Sequence, residues 1–172
     1  MPSGPDCQDD QIYDAILTAL FRAERRLWIA TPYYAPDEAL ARALEIAVRR
    51  GVDVRVIVPA KSNHWIADVV AGPLLRELEA AGGRVHRYMP GMLHAKVVLA
   101  DEAIAIVGSA NFDMRSMFLN YEVAISLTGS SEVARIAKWF DDTFQACEIG
   151  VPHAAWLRRR VETTARLVAP LV

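Results

Sequence analysis

From Asp9 to Arg25 the apolar residues Ile12, Ile16, Leu17, Leu20 and Phe21 recur at helical spacing, which predicts a first helix. Arg26 to Thr31, with Leu27, Trp28 and Ile29, reads as a buried strand that ends at Thr31-Pro32-Tyr33-Tyr34. Pro36-Asp37 opens a second helix carrying Leu40, Leu44, Ile46 and Val48, and Gly51 stops it. Val52 to Val58 alternates apolar and charged residues before turning fully apolar, a strand closed by Pro59. A third helix is predicted over Trp65 to Ala81, closed by Gly82-Gly83, followed by a short strand at Arg84 to Tyr88 and a turn at Pro90-Gly91.

Beyond Leu93 the pattern changes. Lys96–Ala100, Ala103–Val107 and Tyr121–Leu127 are strand-like runs with short connections, and Ser130 or Ser131 caps a helix from Glu132 to about Cys147. The segment after Pro152 is amphipathic, with Trp156, Leu157, Val161, Leu167 and Val168 set among arginines. Alternating strands and helices in the first half imply right-handed crossovers and a parallel sheet. The tight turns of the second half make that sheet mixed. The expectation is one α/β domain, its mixed, largely parallel sheet flanked by helices on both faces.

Composition narrows the function classes. The chain has 172 residues, 53% hydrophobic and 23% charged, enough to bury a core and far from a disordered composition. Its formal net charge of -2 argues against a general polyanion-binding surface, although a local basic cleft is compatible with it. Cys7 and Cys147 make no disulfide framework and lack metal-ligand spacing, so a reducing compartment is expected. No apolar run approaches the roughly 18 residues of a membrane span. The first residues, Met1 to Asp6, lack a signal-peptide pattern and read as a linker with a start methionine before it. A soluble chain is expected, in a fragment of something longer or in a natural single-motif protein.

The chemistry concentrates in Leu93-His94-Ala95-Lys96 and in Gly108-Ser109-Ala110-Asn111. His94 and Lys96, two apart on a predicted strand, point to the same face. That is a poor core, because lysine is rarely buried unpaired, and a good way to hold an anionic phosphate beside a nucleophile or proton donor. Ser109 and Asn111, after a second strand and a glycine turn, can add hydroxyl and amide donors to the same oxygens.

Together His94, Lys96, Asp101, Gly108, Ser109 and Asn111 fill the pattern H-x-K-x4-D-x6-G-S-x-N. This resembles the phospholipase D superfamily. Gly51-Val52-Asp53-Val54-Arg55, Pro90-Gly91-Met92-Leu93-His94 and Asn111-Phe112-Asp113-Met114-Arg115-Ser116 are similar to the C-terminal half of bacterial cardiolipin synthases, and the likeness runs from Gly4 to Leu127. It implies a phospholipase D-like catalytic domain over residues 9–150, preceded by the linker or chain start at 1–8 and followed by an amphipathic helical tail at 151–172.

The resemblance implies a two-step phosphodiester transfer. One histidine attacks phosphorus to give a phosphohistidine, and the histidine of a second motif copy protonates the leaving alkoxide. A neutral imidazole is a competent nucleophile near neutral pH, and splitting the reaction lets an alcohol or water finish it. By the resemblance the catalytic set is His94, Lys96, Asp101 and Glu122, with Lys96, Ser109 and Asn111 binding the phosphate. Glu122 matches the family's acidic residue that hydrogen-bonds the far nitrogen of the nucleophile and selects its tautomer. Asp101 belongs to the motif, yet five residues beyond Lys96 it falls on the opposite strand face, which points to a structural hydrogen bond at the Asp101-Glu102 hairpin. No metal and no other cofactor is implied.

The motif occurs once. His64, His86 and His153 are not followed by a lysine two residues on. A full site therefore takes a second motif, from a missing N-terminal half or from a homodimer partner. The substrate implied is phospholipid: two phosphatidylglycerol molecules joined into cardiolipin with release of glycerol, at the cytoplasmic face of a bacterial inner membrane. A homodimeric phosphodiesterase or nuclease uses the same residues, and a catalytically silent half would act as a scaffold or lipid binder. A nucleic-acid substrate calls for a basic groove, which the net charge disfavours.

His64, Thr31 and Tyr34 follow the C-terminal ends of predicted strands, where ligands bind in open α/β sheets, and are candidates for a head-group pocket. An exposed histidine at a helix start is the plainer reading of His64. His86 and His153 read as surface residues, and Trp28 and Trp139 as core. Arg158, Arg159 and Arg160 suit either a solvated helix face or peripheral contact with anionic lipid.

Overall fold

Helices and strands form where apolar spacing allows one face of each to be buried. In the computed structural model, which describes residues 1–7 and 9–152, the chain runs β1 (Pro2–Ser3), α1 (Gln11–Arg22), β2 (Arg26–Ala30), β3 (Tyr34–Ala35), α2 (Glu38–Arg49), β4 (Asp53–Pro59), α3 (Trp65–Ala81), β5 (Arg84–Tyr88), β6 (Val97–Ala100), β7 (Ile104–Gly108), β8 (Phe112–Asp113), α4 (Met114–Phe118), β9 (Glu122–Leu127), α5 (Ser130–Phe144) and β10 (Cys147–Ile149). Helix α1 buries Ile12, Ile16, Ala19 and Leu20. Asp37 caps α2 by accepting the N–H of Leu40 at 2.9 Å, and the hydroxyl of Tyr13 on α1 donates to the same carboxylate at 2.6 Å. One side chain thus ends a helix and ties it to its neighbour. Gly82 closes α3 at φ 106°, a left-handed conformation open to glycine at little cost. At the start of α5 the cap is Gly129, not Ser130 or Ser131, which lie inside the helix.

The strands form an eight-stranded sheet in the order β1-β9-β7-β6-β2-β4-β5-β10. It is mixed, as expected, but not largely parallel. Only the β2–β4 and β4–β5 pairings are parallel, and the other pairings in the sheet are antiparallel. Helical crossovers produce the parallel centre. The β6–β7 connection spans only Asp101 to Ala103, too short for a crossover, and so reverses the chain. Strands β3 and β8 form a separate parallel ribbon, Tyr34 opposite Phe112 and Ala35 opposite Asp113.

Alternation sorts the core onto the two faces. Leu27, Ile29, Val54, Val56, Val58 and Val98 pack with α1, α2 and α3. Trp28, Ala30, Ile57, Val97 and Leu99 pack with Val133, Ala137 and Phe140 of α5. Trp28 is core as expected, and Trp139 is partly buried against the same cluster. His86 is not at the surface. It is 5% exposed, its ring centroid lies 4.4 Å from that of Phe144, and neither ring nitrogen has a hydrogen-bond partner. Burial, aided by the charges of Arg55 and Arg84, pulls its pKa down to about 4.

The opening residues also differ from the linker expectation. Pro2 and Ser3 pair with β9, the Met1 ammonium donates to the carbonyl of Ala124 at 2.8 Å, and Ser3 is buried. At the other end the Val151 N–H donates to Glu79 at 3.2 Å. The helical tail expected over 151–172, with Arg158, Arg159 and Arg160, lies outside the described residues apart from its first two, as does His153. Among the described residues no helix is long and apolar enough to cross a membrane.

Candidate active site

His94 and Lys96 sit in the extended segment that leads into β6, one step before the ladder begins at Val97. The strand expected to start at Lys96 starts one residue later, yet the two side chains meet as the spacing predicts. Lys96 Nζ is 3.2 Å from each ring nitrogen of His94 and donates to the His94 carbonyl at 3.1 Å. His94 is exposed and Lys96 half-buried. Burial pushes the Lys96 pKa down, against the pull of the Glu122 and Asp113 carboxylates. An anion seated over this ammonium lies within reach of the imidazole.

Behind this pair β7 ends at Gly108. A Cβ there would stand 2.5 Å from the Val123 carbonyl, so a side chain at this position would push β7 and β9 apart. The close approach places Ser109 against β9. Its hydroxyl donates to the Glu122 carboxylate and accepts the Val123 N–H at 3.0 Å. The Asn120 amide donates to the other Glu122 oxygen at 3.4 Å. Glu122 therefore bonds Ser109 and Asn120 in this state, and the contact to a His94 ring nitrogen comes from Lys96. Asn111 is half-buried, and its Nδ2 donates to Ser116 Oγ at 3.0 Å.

Asp101 does not join the site. It lies at the far end of β6 from His94, with φ 53°, and its carboxylate accepts the backbone N–H groups of Glu24, Arg25 and Arg26 at 2.9, 2.8 and 2.9 Å. Burial acts to raise its pKa, but those three donors and the Arg25 charge hold it below the usual carboxylate range. Its place in the motif reflects the turn that positions β6, which corrects its inclusion in the catalytic set.

The head-group trio is likewise divided. Thr31 is buried, donates its hydroxyl to the Tyr33 carbonyl at 2.7 Å and accepts the Phe112 N–H at 3.1 Å. Tyr34 is buried and stacks on Phe112. Thr31 ties the β3–β8 ribbon to the end of β2, Tyr34 packs within that ribbon, and neither lines the cavity next to Asn111. His64 does. That cavity, about 300 Å³, is walled by Tyr33, His64, Asn111, Asp113, Arg115 and Asn120 among others. Tyr33, Asp113, Arg115 and Asn120 received no role from sequence reasoning, although Asp113 and Arg115 stand in the Asn111-to-Ser116 run that carried the resemblance. Among the described residues no group of three His, Cys, Asp or Glu side chains is arranged to hold a metal ion.

A histidine and a lysine thus lie side by side just ahead of β6, and Ser109 and Glu122 meet across β7 and β9. The chain belongs to the family described as cardiolipin synthase, PLD-like domain, which matches residues 16–144. It is 39% identical to cardiolipin synthase A of Pseudomonas putida over 176 residues, covering 100% of this chain and 37% of that protein. It is 36% identical to cardiolipin synthase 1 of Bacillus cereus, covering 99% of this chain and 34% of that protein. The chain thus spans little more than a third of the length of these relatives. Among solved structures it resembles Nuc, a phospholipase D family member from Salmonella typhimurium (TM-score 0.72, 20% identity, 88% of this chain and 100% of that one). It also resembles a phosphatidylserine synthase from Haemophilus influenzae (TM-score 0.77, 15% identity, 99% of this chain and 47% of that one). At these identities the structural likeness speaks for the fold.

Proposed function

We propose that this domain supplies one of the two motifs of a phosphatidyl transferase that converts two phosphatidylglycerol molecules into cardiolipin and glycerol. The observation that carries the reading is the His94–Lys96 contact at the entry to β6, an interior strand, with the Ser109–Glu122 pair on the neighbouring β7 and β9. In the first step one histidine forms a bond to phosphorus of the donor lipid while the phosphorus–glycerol bond breaks, and the second motif's histidine gives its proton to the departing glycerol oxygen. In the second step the hydroxyl of another phosphatidylglycerol attacks phosphorus, passes its proton to that second histidine, and the phosphorus–nitrogen bond breaks. Lys96 neutralises charge on the non-bridging oxygens in both steps, and fixed donors at that point are worth most in the transition state. His64, on the cavity wall, faces the head group.

The second motif docks beside β9. Val123 and Ile125 alternate along its uncovered face at 60% and 55% exposure, next to Glu122, and an apolar stripe beside a half-built site suits a partner of the same kind. That partner is an N-terminal half of the same protein or a second copy of the chain. A lipid substrate calls for peripheral contact with a membrane, and the inner face of a bacterial membrane is the side proposed for it.

The test begins with the solution mass of the chain by light scattering, together with hydrolysis of bis(4-nitrophenyl) phosphate. Labelled phosphatidylglycerol in vesicles is then supplied to the active assembly, the chain alone or joined to a second-motif half. Cardiolipin formation that vanishes with His94→Ala supports the proposal. Diester hydrolysis by a homodimer without any lipid transfer replaces it with a phosphodiesterase. Transfer unaffected by His94→Ala overturns the assignment of the site.

A further inference from the structure

Asn111 follows β7 on a loop, and a carboxamide there turns easily about its last torsion. Its orientation is nonetheless an unfavourable one. The Oδ1 atom is shut off from solvent and has no hydrogen-bond partner, a costly state for a buried acceptor. An amide free to turn would swing that oxygen toward water. It is held by its other end, where Nδ2 donates one of its two hydrogens to Ser116 Oγ at 3.0 Å.

Ser116 is itself fixed. It is 1% exposed, and its N–H donates to Asp113 Oδ1 at 2.7 Å. Asp113 is 3% exposed and belongs to the β3–β8 ribbon through its pairing with Ala35. A rigid path therefore runs from the ribbon through Asp113 and Ser116 to the Asn111 carboxamide. The Asp113 carboxylate also draws a hydrogen bond from the same amide, so the carboxamide is held directly by Asp113 as well as through Ser116.

We propose that Ser116, held by Asp113, is a positioning residue that fixes the Asn111 carboxamide in its phosphate-binding orientation. The inference rests on the functional reading above. A donor that is already aligned needs no reorganisation as charge develops on the phosphate oxygens, so the benefit falls on the chemical step more than on binding.

The experiment compares Ser116→Ala and Ser116→Thr with the parent and with His94→Ala, in the active two-motif assembly, on bis(4-nitrophenyl) phosphate. Ser116→Ala lowers kcat by about tenfold to hundredfold, in the range of a misplaced oxyanion donor, with KM within about threefold. Ser116→Thr, which keeps the hydroxyl, recovers most of kcat. A Ser116→Ala variant as fast as the parent, beside a dead His94→Ala, overturns the positioning role and leaves the function standing. A rise in KM with unchanged kcat also overturns it. An active His94→Ala overturns the functional reading instead. Should Ser116→Ala not fold, the Asn111 side-chain amide of the unmodified chain decides by NMR. Hydrogens that exchange slowly support the restraint, and exchange as fast as a free carboxamide removes it.

Discussion

Lys96 holds its ammonium 3.2 Å from both ring nitrogens of His94, and this contact couples the two motif side chains more closely than either is coupled to Glu122. The ammonium is half-buried and paired by no salt bridge within 4.0 Å among the described residues, while the Glu122 and Asp113 charges stabilise it from further away. In the proposed function that ammonium is the group that meets the substrate phosphate.

Lys96→Met removes that charge and keeps the stem. Burial disfavours the charged ammonium in the folded state, so the melting temperature is expected to hold or rise. Turnover of a phosphodiester by the active assembly should fall by about 10²–10³, the scale of one lost transition-state donor. Single-turnover rates and thermal melts on the same samples check this. Unchanged turnover would remove Lys96 from the chemistry.

Asp101 has the opposite profile. Asp101→Asn keeps a residue that tolerates φ 53° but weakens the three backbone hydrogen bonds to Glu24, Arg25 and Arg26. A loss of about 1–2 kcal/mol in stability is expected, with turnover per folded molecule intact. Because the folded carboxylate sits below its ordinary pKa of 3.8, its contribution is present above that value and is lost as pH falls through the folded pKa. Denaturant melts between neutral and acid pH, parent against variant, read both effects.

His86 offers a stabilising change. A buried ring with two unpartnered nitrogens gains from replacement by an apolar residue of similar size, so His86→Leu is expected to raise the melting temperature. The sign with pH follows from its lowered pKa. The unfolded chain takes up a proton below the ordinary 6.5, and the folded chain only near 4. Stability contributed by the neutral ring is therefore full above pH 6.5 and falls across the window down to pH 4, by at most about 1.4 kcal/mol per pH unit. His86→Leu should flatten that slope. An unchanged slope would mean that His86 takes up its proton as readily in the folded protein as in the unfolded chain.

The elements with a repeating pattern were legible in the sequence because their signal is local. Helix α3 and strand β5 have the bounds that apolar spacing and the closing glycines predict, Trp65–Ala81 and Arg84–Tyr88. The His94–Lys96 contact follows from their separation alone, since residues two apart in an extended chain share a side. The strands β1, β3, β8 and β10 are two or three residues long and carry no period. They exist because another segment offers unpaired backbone groups at the right place, and only the fold supplies that segment.

The same division runs through the site. Sequence alone singled out the side chains proposed to carry the chemistry, through residue types at fixed intervals that a strand and a tight turn convert into proximity. Tertiary structure decided what each of them bonds to. Asp101 turned out to anchor the 24–26 backbone, Thr31 and Tyr34 to brace the β3–β8 ribbon, and Ser109 to meet Glu122 across β7 and β9. His86 went inward because β5 lies between β4 and β10 and presents it to Phe144. Each of these partners is distant along the chain, and the free energy that selects it comes from packing the whole sheet, a quantity that no short window of sequence contains.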